Sequence, residues 1–311
     1  MTLLDKKLIL VVGKGGVGRS LVSATLANAF ANEGRRTLLF EHDAVDRYGS
    51  WFETAPVGPE LTELKKNLFA INTTPSAAME EYGLMVLRWR RVYKMIFENR
   101  ITRNFLRAVP GLNAYSILGK AWYHTTETRR DKSPKWDTVV FDMAASGHCL
   151  TMLKLPQVIL NTVPEGPLTR DARKVQSLLL DEARTAVVMV TLPEEMPTNE
   201  AIELKAKLKS EIGVNIQSLV INQTYPNLFA VGSEEDIVLN AIQENQTEAA
   251  KAVVEHSLLM KSRSQLHQKY KETLRNAFNV PIAEIKKRFA TELTSAEIGD
   301  ISAALFSQLA A

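Results

Sequence analysis

The sequence predicts an α/β fold in which a mostly parallel sheet is flanked by helices, and three observations carry this prediction. Short apolar runs rich in β-branched residues recur along the chain, as expected for strands that are buried on both faces. Stretches with helical periodicity separate these runs. The first run leads directly into a glycine-rich loop and a helix, which is the arrangement of a phosphate-binding strand–loop–helix unit.

Length and composition favour a single large domain over the whole chain, residues 1–311. Of the 311 residues, 45% are hydrophobic and 23% are charged, which is enough to bury a sizeable core. The net charge of +3 is too small to favour a nucleic-acid partner. The chain shows no signal peptide and no run approaching about 18 apolar residues, so we expect a cytoplasmic protein. The single cysteine, Cys149, argues against a disulfide framework or a multi-thiol metal or arsenite site.

The most informative stretch is the glycine-rich loop and its two flanking elements. Leu8–Val12 predict a buried strand, and a helix is expected from about Arg19 to Asn32, ended by Gly34. Glycines between them let backbone N–H groups converge on an anion at the helix N-terminus. The residues expected to contact phosphate are Gly13, Lys14, Gly15, Gly16, Val17, Gly18, Arg19, Ser20 and Leu21.

The rest of the chain continues the alternation of strands and helices. The predicted strands are Arg36–Phe40, Leu68–Asn72, Thr138–Asp142, Ala186–Thr191, Ile216–Ile221 and a last short strand at 279–282. The predicted helices are Leu150–Leu160, Asp171–Leu180, Thr198–Ile212 and Ser295–Leu309. Thr198 or Asn199 is the expected cap of the third of these helices and Gly213 its end, whereas Thr294 and Glu297 form a capping box for the last.

Two nucleotide motifs fit the glycine-rich loop, and they predict different ligands. The P-loop pattern G-x-x-x-x-G-K-[ST] matches except that Arg19 replaces lysine, whereas the dinucleotide pattern G-x-G-x-x-G matches in full. An acid for a ribose is present as Glu41 or Asp43, so an NAD-dependent oxidoreductase is the distant alternative. The two cations of the loop, Lys14 and Arg19, favour a triphosphate.

A magnesium site is predicted beside the loop. Ser20 stands where a P-loop hydroxyl binds Mg²⁺, and the strand Thr138–Asp142 ends in an acid that can hold the hydrated ion. We therefore expect ATP or ADP with Mg²⁺ as the ligands.

Four segments resemble the arsenical-pump and tail-anchored-protein-targeting ATPases (the ArsA-like family of the deviant Walker A class, with MinD and ParA). K-G-G-V-G-R-S from Lys14 resembles their deviant Walker A loop with its signature lysine. D-M-A-A-S-G-H from Asp142 resembles their switch II, and T-L-P-E-E-M-P-T-N-E ending at Glu200 their P-E-x-x-P-x-x-E segment. V-I-N-Q around Asn222 resembles their base-binding strand end. The segments occur in family order, so the chain is identified as a bacterial member.

The resemblance implies catalytic roles for Asp43, Lys14 and Arg19. Asp43 would orient the attacking water at switch I, although Ala44 follows where the family has proline. Lys14 would reach across a dimer interface to the nucleotide of the partner, and Arg19 would stand in for the Walker lysine.

The resemblance also implies contacts with the ends of the nucleotide. The N–H of Gly147 would sense the γ-phosphate, with His148 nearby. The Asn222 amide is suited to donate to and accept from adenine, and a loop at Pro281 would lie beside the base.

Two helical portions interrupt the alternation, an insertion at about 76–128 and a second portion at about 233–278. The insertion carries both apolar and basic side chains, which fit either a groove for a client protein and an anionic membrane surface or ordinary packing and a solvated face. The apolar residues are Met79, Tyr82, Met85, Val86, Trp89, Tyr93, Met95, Ile96, Phe97, Phe105 and Leu106. The basic residues are Arg88, Arg90, Arg91, Lys94, Arg100, Arg103 and Arg107.

The predicted function is that of a nucleotide-switched dimeric ATPase that acts on a client or partner protein. Arginine is longer than lysine and planar, so it is not equivalent to the Walker lysine. The alternative is therefore a nucleotide-binding pseudo-ATPase subunit that pairs with an ArsA-like paralogue.

Overall fold

The computed structural model describes residues 3–87, 111–226, 232–243, 247–289 and 293–310. Its strands are β1 (Leu8–Gly13), β2 (Thr37–His42), β3 (Thr62–Lys65), β4 (Leu68–Thr73), β5 (Thr138–Asp142), β6 (Thr185–Thr191), β7 (Ser218–Thr224) and β8 (Ile282–Lys286). They form one sheet in the order β3-β4-β2-β5-β1-β6-β7-β8. Every neighbouring pair is parallel except β3 and β4. The predicted α/β fold is therefore confirmed.

Helices connect most of the parallel strands and cover both faces of the sheet. They are α1 (Arg19–Asn32), α2 (Tyr48–Trp51), α3 (Pro75–Leu87), α4 (Leu112–Thr126), α5 (Ser146–Thr162), α6 (Pro167–Leu180), α7 (Glu195–Lys207), α8 (Glu234–Gln243), α9 (Glu248–Ala277) and α10 (Ser295–Ala310). A π-helical turn, Leu208–Ile212, prolongs α7, and a 3₁₀ turn at Leu3–Asp5 precedes β1.

The core lies in two layers because side chains of a strand alternate between the two faces of a sheet. Leu8, Leu10 and Val12 of β1 point into the layer formed with helices α4 to α7 and the end of α9. Ile9 and Val11 point into the other layer, which is formed with α1 and α10. The central strand is thus fully buried, as its apolar sequence predicts.

The two edges of the sheet differ from the sequence prediction. Strand β3 was not predicted, since only Leu64 of its four residues is buried and its neighbours are polar or charged. The last strand was predicted at 279–282, but β8 runs from Ile282 to Lys286. A short edge strand carries a weak local signal, and its position is set by pairing with β4 or β7.

Several helix ends follow the local sequence signals. Gly34 and Gly213 adopt left-handed backbone conformations, with φ of 79° and 86°, directly after their helices. Thr294 and Glu297 form the predicted capping box at α10. The predicted start of α7 is wrong, because the helix begins at Glu195 and includes Pro197 in its first turn, where an N–H is not needed.

The connection between β4 and β5 contains α3 and α4, which pack on each other. The segment 88–110 of the predicted insertion, including its basic residues, lies outside the described residues. The second helical portion corresponds to α8 and α9. Among the helices described, none has both the length and the apolar character needed to cross a bilayer.

Candidate nucleotide-binding site

The glycine-rich loop lies at the centre of the carboxyl edge of the sheet, between β1 and α1. A methyl group on Gly13 would come within 2.3 Å of the Val190 carbonyl oxygen, and one on Gly18 within 2.1 Å of Asn222 Nδ2. Gly18 also has a φ of 93°. The loop therefore passes so close to β6 and β7 that no side chain fits at these two positions.

Asn222, which is buried near the carboxyl end of β7, holds the loop in place. Its Nδ2 donates a hydrogen bond to the Val17 carbonyl at 2.9 Å, and its Oδ1 accepts one from the Gln223 N–H at 2.8 Å. Both ends of the amide are therefore used within the chain. In this structure Asn222 positions the loop, and its pairing with adenine stays a prediction.

The predicted magnesium residues meet at the start of α1. Ser20 Oγ donates to Asp142 Oδ2 at 2.6 Å, and Tyr48 OH donates to the same oxygen at 3.0 Å. Burial and the adjacent Asp142 raise the pKa of Tyr48, so its hydroxyl keeps its proton and remains a donor. Three elements, α1, α2 and β5, thus converge on one carboxylate.

Glu41 at the end of β2 lies against the same carboxylate, and the sequence did not predict this contact. Both side chains are buried, at 4% exposed for Glu41 and 6% for Asp142. Burial, followed by repulsion from Asp142, raises the pKa of Glu41 to about 8. In the absence of a cation, Glu41 is therefore protonated at neutral pH.

The oxygen donors present fit a magnesium ion. Asp142 Oδ1 and Glu41 Oε2 are buried and have no hydrogen-bond partner outside the Glu41–Asp142 pair, and Ser20 Oγ lies beside them. Mg²⁺ takes oxygen ligands and is commonly held by one or two carboxylates together with water and phosphate oxygens. Buried polar atoms without a partner are rare in native structures, so the two free oxygens agree with a cation at this place.

Arg19, which replaces the Walker lysine, reaches from the first turn of α1 to the end of β5. Its guanidinium donates to the Met143 carbonyl oxygen. A second arginine, Arg47, approaches Ser20 Oγ with Nη1 at 3.4 Å. Two guanidinium groups therefore border the position expected for the phosphates, and the sequence did not predict the position of Arg47.

A cleft of about 480 Å³ opens from the loop towards β7 and β8. Its walls include Trp51 and Gln223 beside the loop residues. Five cationic side chains line it: Arg19, Arg47, Lys286, Lys287 and Arg288. The cleft therefore combines the volume and the positive charge that an anionic nucleotide requires.

The sequence profile of the family described as anion-transporting ATPase matches residues 6–165 and 167–257. This match covers well over half of the chain. The chain belongs to the anion-transporting ATPase family.

Named relatives in this family are similar at a moderate level of identity. The chain is 27% identical over 234 residues to the ATPase BagA of Mycobacterium tuberculosis, covering 71% of this chain and 66% of the relative. It is 25% identical over 252 residues to the arsenical pump-driving ATPase of Escherichia coli, covering 76% of this chain and 42% of the relative. The match thus spans less than two thirds of the length of either relative.

Lys14, which was predicted to be the signature lysine, is not among the residues that line the cleft in this anion-transporting ATPase family member. Its Nζ forms an ion pair with Glu200 Oε1 at 2.7 Å and lies beside the sulfur of Met196. The structure therefore brings Lys14 together with the P-E-x-x-P-x-x-E segment of the same chain. Its reach into a partner subunit stays a prediction.

Asp43 and Gly147 lie at the same edge of the sheet as the loop. Asp43 follows β2 with a φ of 50°, and its N–H donates to the Thr73 carbonyl at 2.9 Å. Gly147 lies in the first turn of α5, and the preceding Ala145 is the nearest neighbour of Gly15 across the gap. These positions agree with the predicted contacts to the γ-phosphate, which no bound ligand tests.

The prediction for Pro281 is wrong, because this residue precedes β8 and lies at the amino edge of the sheet. Its carbonyl accepts a hydrogen bond from the Leu219 N–H near the start of β7. The carboxyl end of β8, at Lys286, is about 16 Å further along the chain. Lys287 and Arg288 therefore occupy the place beside the cleft that was assigned to Pro281.

Cys149 does not offer a metalloid or redox site. It is fully buried in α5, and burial raises the pKa of its thiol to about 12. A protonated, inaccessible thiol is a poor nucleophile and a poor ligand.

Proposed function

We propose that this chain binds ATP with Mg²⁺ at the glycine-rich loop and hydrolyses it as a nucleotide-switched ATPase. The observation that supports this proposal best is the Ser20–Asp142 hydrogen bond beside a loop in which Gly16 faces open space, with no atom within 4 Å of the position of an added methyl group. The basic cleft on the opposite side supplies space for the nucleoside.

Each part of the loop has a distinct task in this proposal. The N–H groups of the loop and of the first turn of α1 would bind the phosphates, because within the described residues no side chain caps this helix. Ser20 and Asp142 would hold the magnesium ion, which neutralises charge on the β- and γ-phosphates when it is bound. Asp43 would accept a hydrogen bond from the attacking water and so orient it.

Arg19 is the cation proposed to bind the β- and γ-phosphates. Its Nη1 donates to the Met143 carbonyl, so a phosphate contact that uses Nη1 would replace this hydrogen bond. An arginine can bind a phosphate through two parallel hydrogen bonds. Because Met143 directly follows Asp142, an exchange of partners by Arg19 would change the contacts at the start of switch II when nucleotide binds.

The same contact supports a second candidate function, a nucleotide-binding subunit that does not hydrolyse ATP by itself. If the contact with Met143 persists with nucleotide bound and keeps the guanidinium away from the phosphates, no cation replaces the Walker lysine, and turnover would need a paralogous partner. In both cases we propose a homodimer or heterodimer that acts on a client protein or at a membrane surface. The resemblance of Lys14 to the signature lysine supports the proposal of a dimer.

The NAD-dependent alternative has lost its support. Membership of an ATPase family favours ATP. Glu41, one of the two acids considered for a ribose, is buried against Asp142 and is not among the residues that line the cleft.

Calorimetric titration with ATP, ADP and NAD, with Mg²⁺ and with EDTA, tests the proposal, together with steady-state hydrolysis by the same protein. We expect ATP and ADP to bind, ATP binding to tighten with Mg²⁺, and NAD not to bind. Turnover that is lost in Arg19→Ala and kept in Arg19→Lys would support the ATPase. Binding without turnover in the wild type would support the second candidate, and failure of ATP to bind would overturn both.

A further inference from the structure

Two buried carboxyl groups face each other across adjacent strands. The register pairs Phe40 of β2 with Phe141 of β5, so the next residues, Glu41 and Asp142, lie side by side. Residues paired in this way project from the same face of a parallel sheet. They meet directly below Ser20.

The polar contacts of this pair are incomplete. Asp142 Oδ2 accepts hydrogen bonds from Ser20 and Tyr48, and the protonated Glu41 carboxyl donates to Asp142, whereas Asp142 Oδ1 and Glu41 Oε2 have no partner outside this pair. In the part of the chain that the structure describes, no lysine or arginine forms an ion pair with either carboxylate. Buried carboxylates are stable only when they are paired, protonated or bound to a metal.

We propose that Glu41 is a second carboxylate ligand of the divalent cation, and that Glu41, Asp142 and Ser20 together bind Mg²⁺ or Mn²⁺ before the nucleotide arrives. This inference rests on the magnesium site of the proposed function and extends it to the nucleotide-free protein. A site with one carboxylate and one hydroxyl depends on phosphate oxygens to complete the binding of Mg²⁺, because this ion gives up its water reluctantly. A second carboxylate adds a further negative charge and reduces that dependence.

The hydroxyl and the nearest cation are compatible with this arrangement. Ser20 can donate its proton to Asp142 Oδ2 and still offer a lone pair to the ion, because a hydroxyl is both a donor and an acceptor. Arg47 approaches Ser20 Oγ from the cleft, with Nη1 at 3.4 Å. It therefore borders the site without neutralising either carboxylate through an ion pair.

The test is a titration with Mn²⁺ alone in nucleotide-free, low-salt buffer. Electron paramagnetic resonance of the free ion measures how much Mn²⁺ is bound. The informative variant is Glu41→Gln, since glutamine has the same shape and its amide still donates to Asp142, but it carries no negative charge. The matched control is Asp46→Asn, which removes one charge nearby from a side chain that already caps the Gly49 N–H at 3.1 Å.

We expect wild-type protein to bind one Mn²⁺ per chain and Glu41→Gln to lose about tenfold or more in affinity. The affinity of Asp46→Asn for Mn²⁺ should stay within about twofold of wild type, because water and salt screen a charge outside the site. Thermal melting in EDTA checks that Glu41→Gln is folded. Equal affinities for Mn²⁺ in wild type and Glu41→Gln would overturn the proposal, because Glu41 would then act only as a hydrogen-bond donor. An equal loss of affinity in Glu41→Gln and Asp46→Asn would also overturn it, because Glu41 would then act only through its long-range electrostatic field.

Titration with ATP in EDTA separates this proposal from the proposed function. ATP that binds to the metal-free protein, combined with no Mn²⁺ binding in the absence of nucleotide, would overturn the role of Glu41 and leave the nucleotide site standing. Mn²⁺ that binds through Glu41 to a protein that never binds ATP would overturn the proposed function and leave the role of Glu41 standing.

Discussion

The two sides of the glycine-rich loop differ in how much of their chemistry is assembled without a ligand. On the side of β2 and β5, Glu41 and Asp142 are buried and in contact, and Ser20 is already bonded to one of them. On the side of β7 and β8, the cleft is open, and Lys286 and Arg288 at its rim are exposed. The side of β2 and β5, called here the metal side after the proposed Mg²⁺ site, is therefore preorganised. The side of β7 and β8, called the cleft side, offers exposed positive charge.

This difference teaches where substitutions should matter. A buried carboxylate or amide that loses its partner costs its full desolvation free energy, whereas an exposed cation is screened by water and salt. We therefore expect large effects in the loop and on the metal side and small effects along the rim of the cleft. Four predictions rank these effects from the largest to the smallest.

Gly13→Ala should break the loop that separates the two sides. The added methyl group would lie 2.3 Å from a backbone oxygen of β6, and neither strand can move away without disturbing the central sheet. We expect a loss of about 4 kcal/mol in the free energy of unfolding, measured by urea denaturation. Gly58→Ala is the control, because no atom lies within 4 Å of its new methyl group. Equal stability of the two variants would show that the loop can shift.

Glu41→Gln should remove a pH dependence of stability that belongs to the metal side. Glu41 holds its proton up to a pKa of about 8 when folded but loses it near 4.5 when unfolded. The unfolded chain thus binds fewer protons between these values, so the contribution of Glu41 to wild-type stability is greatest below pH 4.5 and falls as pH rises to about 8. Across the range from pH 5.5 to pH 8.5 that the experiment covers, the fall attributable to this group is on the order of 3 kcal/mol.

The measurement is the free energy of unfolding in EDTA at pH 5.5 and pH 8.5 for both proteins. We expect the difference between the two pH values to shrink in Glu41→Gln, which cannot ionise. A variant with the same pH dependence as wild type would mean that Glu41 ionises normally in the fold.

Asn222→Ala should loosen the loop from the cleft side. The change removes the hydrogen bond to the Val17 carbonyl and leaves that oxygen without its partner. We expect a loss of about 1–3 kcal/mol in the free energy of unfolding. The control is Asn215→Ala, since Asn215 is exposed and bonds only to the side chain of Glu182. Loss of nucleotide affinity without loss of stability would instead favour the predicted contact with adenine.

Lys287→Ala should have the smallest effect of the four. Its Nζ donates to Gln223 Oε1 at 2.5 Å at the edge of the cleft. We expect ATP to bind about two- to fivefold more weakly at low salt and the difference to shrink at high salt. Titration at two ionic strengths measures this effect, with the exposed Lys209→Ala as the control. A large loss that is insensitive to salt would show that the cleft side makes a fixed contact.

The same comparison separates what the sequence could predict from what it could not. The β1–loop–α1 unit was predictable because its signals are local: an apolar strand, spaced glycines and a helical pattern. Ser20 and Asp142 were predictable as partners because both stand at the carboxyl edge of the sheet. Glu41 was noticed as an acid, but its contact with Asp142 depends on the register of β2 against β5, which no local pattern gives.

The cleft side was predicted less well for the same physical reason. Strand β8 lies four residues further along the chain at its end than expected. Because of this shift, Pro281 lies at the amino edge of the sheet, and Lys287 lines the cleft instead. Likewise, the partners of Lys14 and Arg19 are Glu200 and the Met143 carbonyl, each more than 120 residues away in sequence. Side-chain pairing over such distances follows from the assembled fold.

The packing of α1 has a consequence for the order of events during synthesis on the ribosome. Phe30 of this helix packs edge to face on Phe306, and Asn28 Nδ2 donates to Ser302 Oγ at 2.9 Å in the buried layer. The helix that follows the glycine-rich loop is synthesised long before α10, which forms part of its cover. At ribosomal speeds this wait is roughly 15 to 55 s. Throughout that interval the face of α1 that packs on α10 is uncovered in the nascent chain, and a chaperone can recognise its apolar side chains.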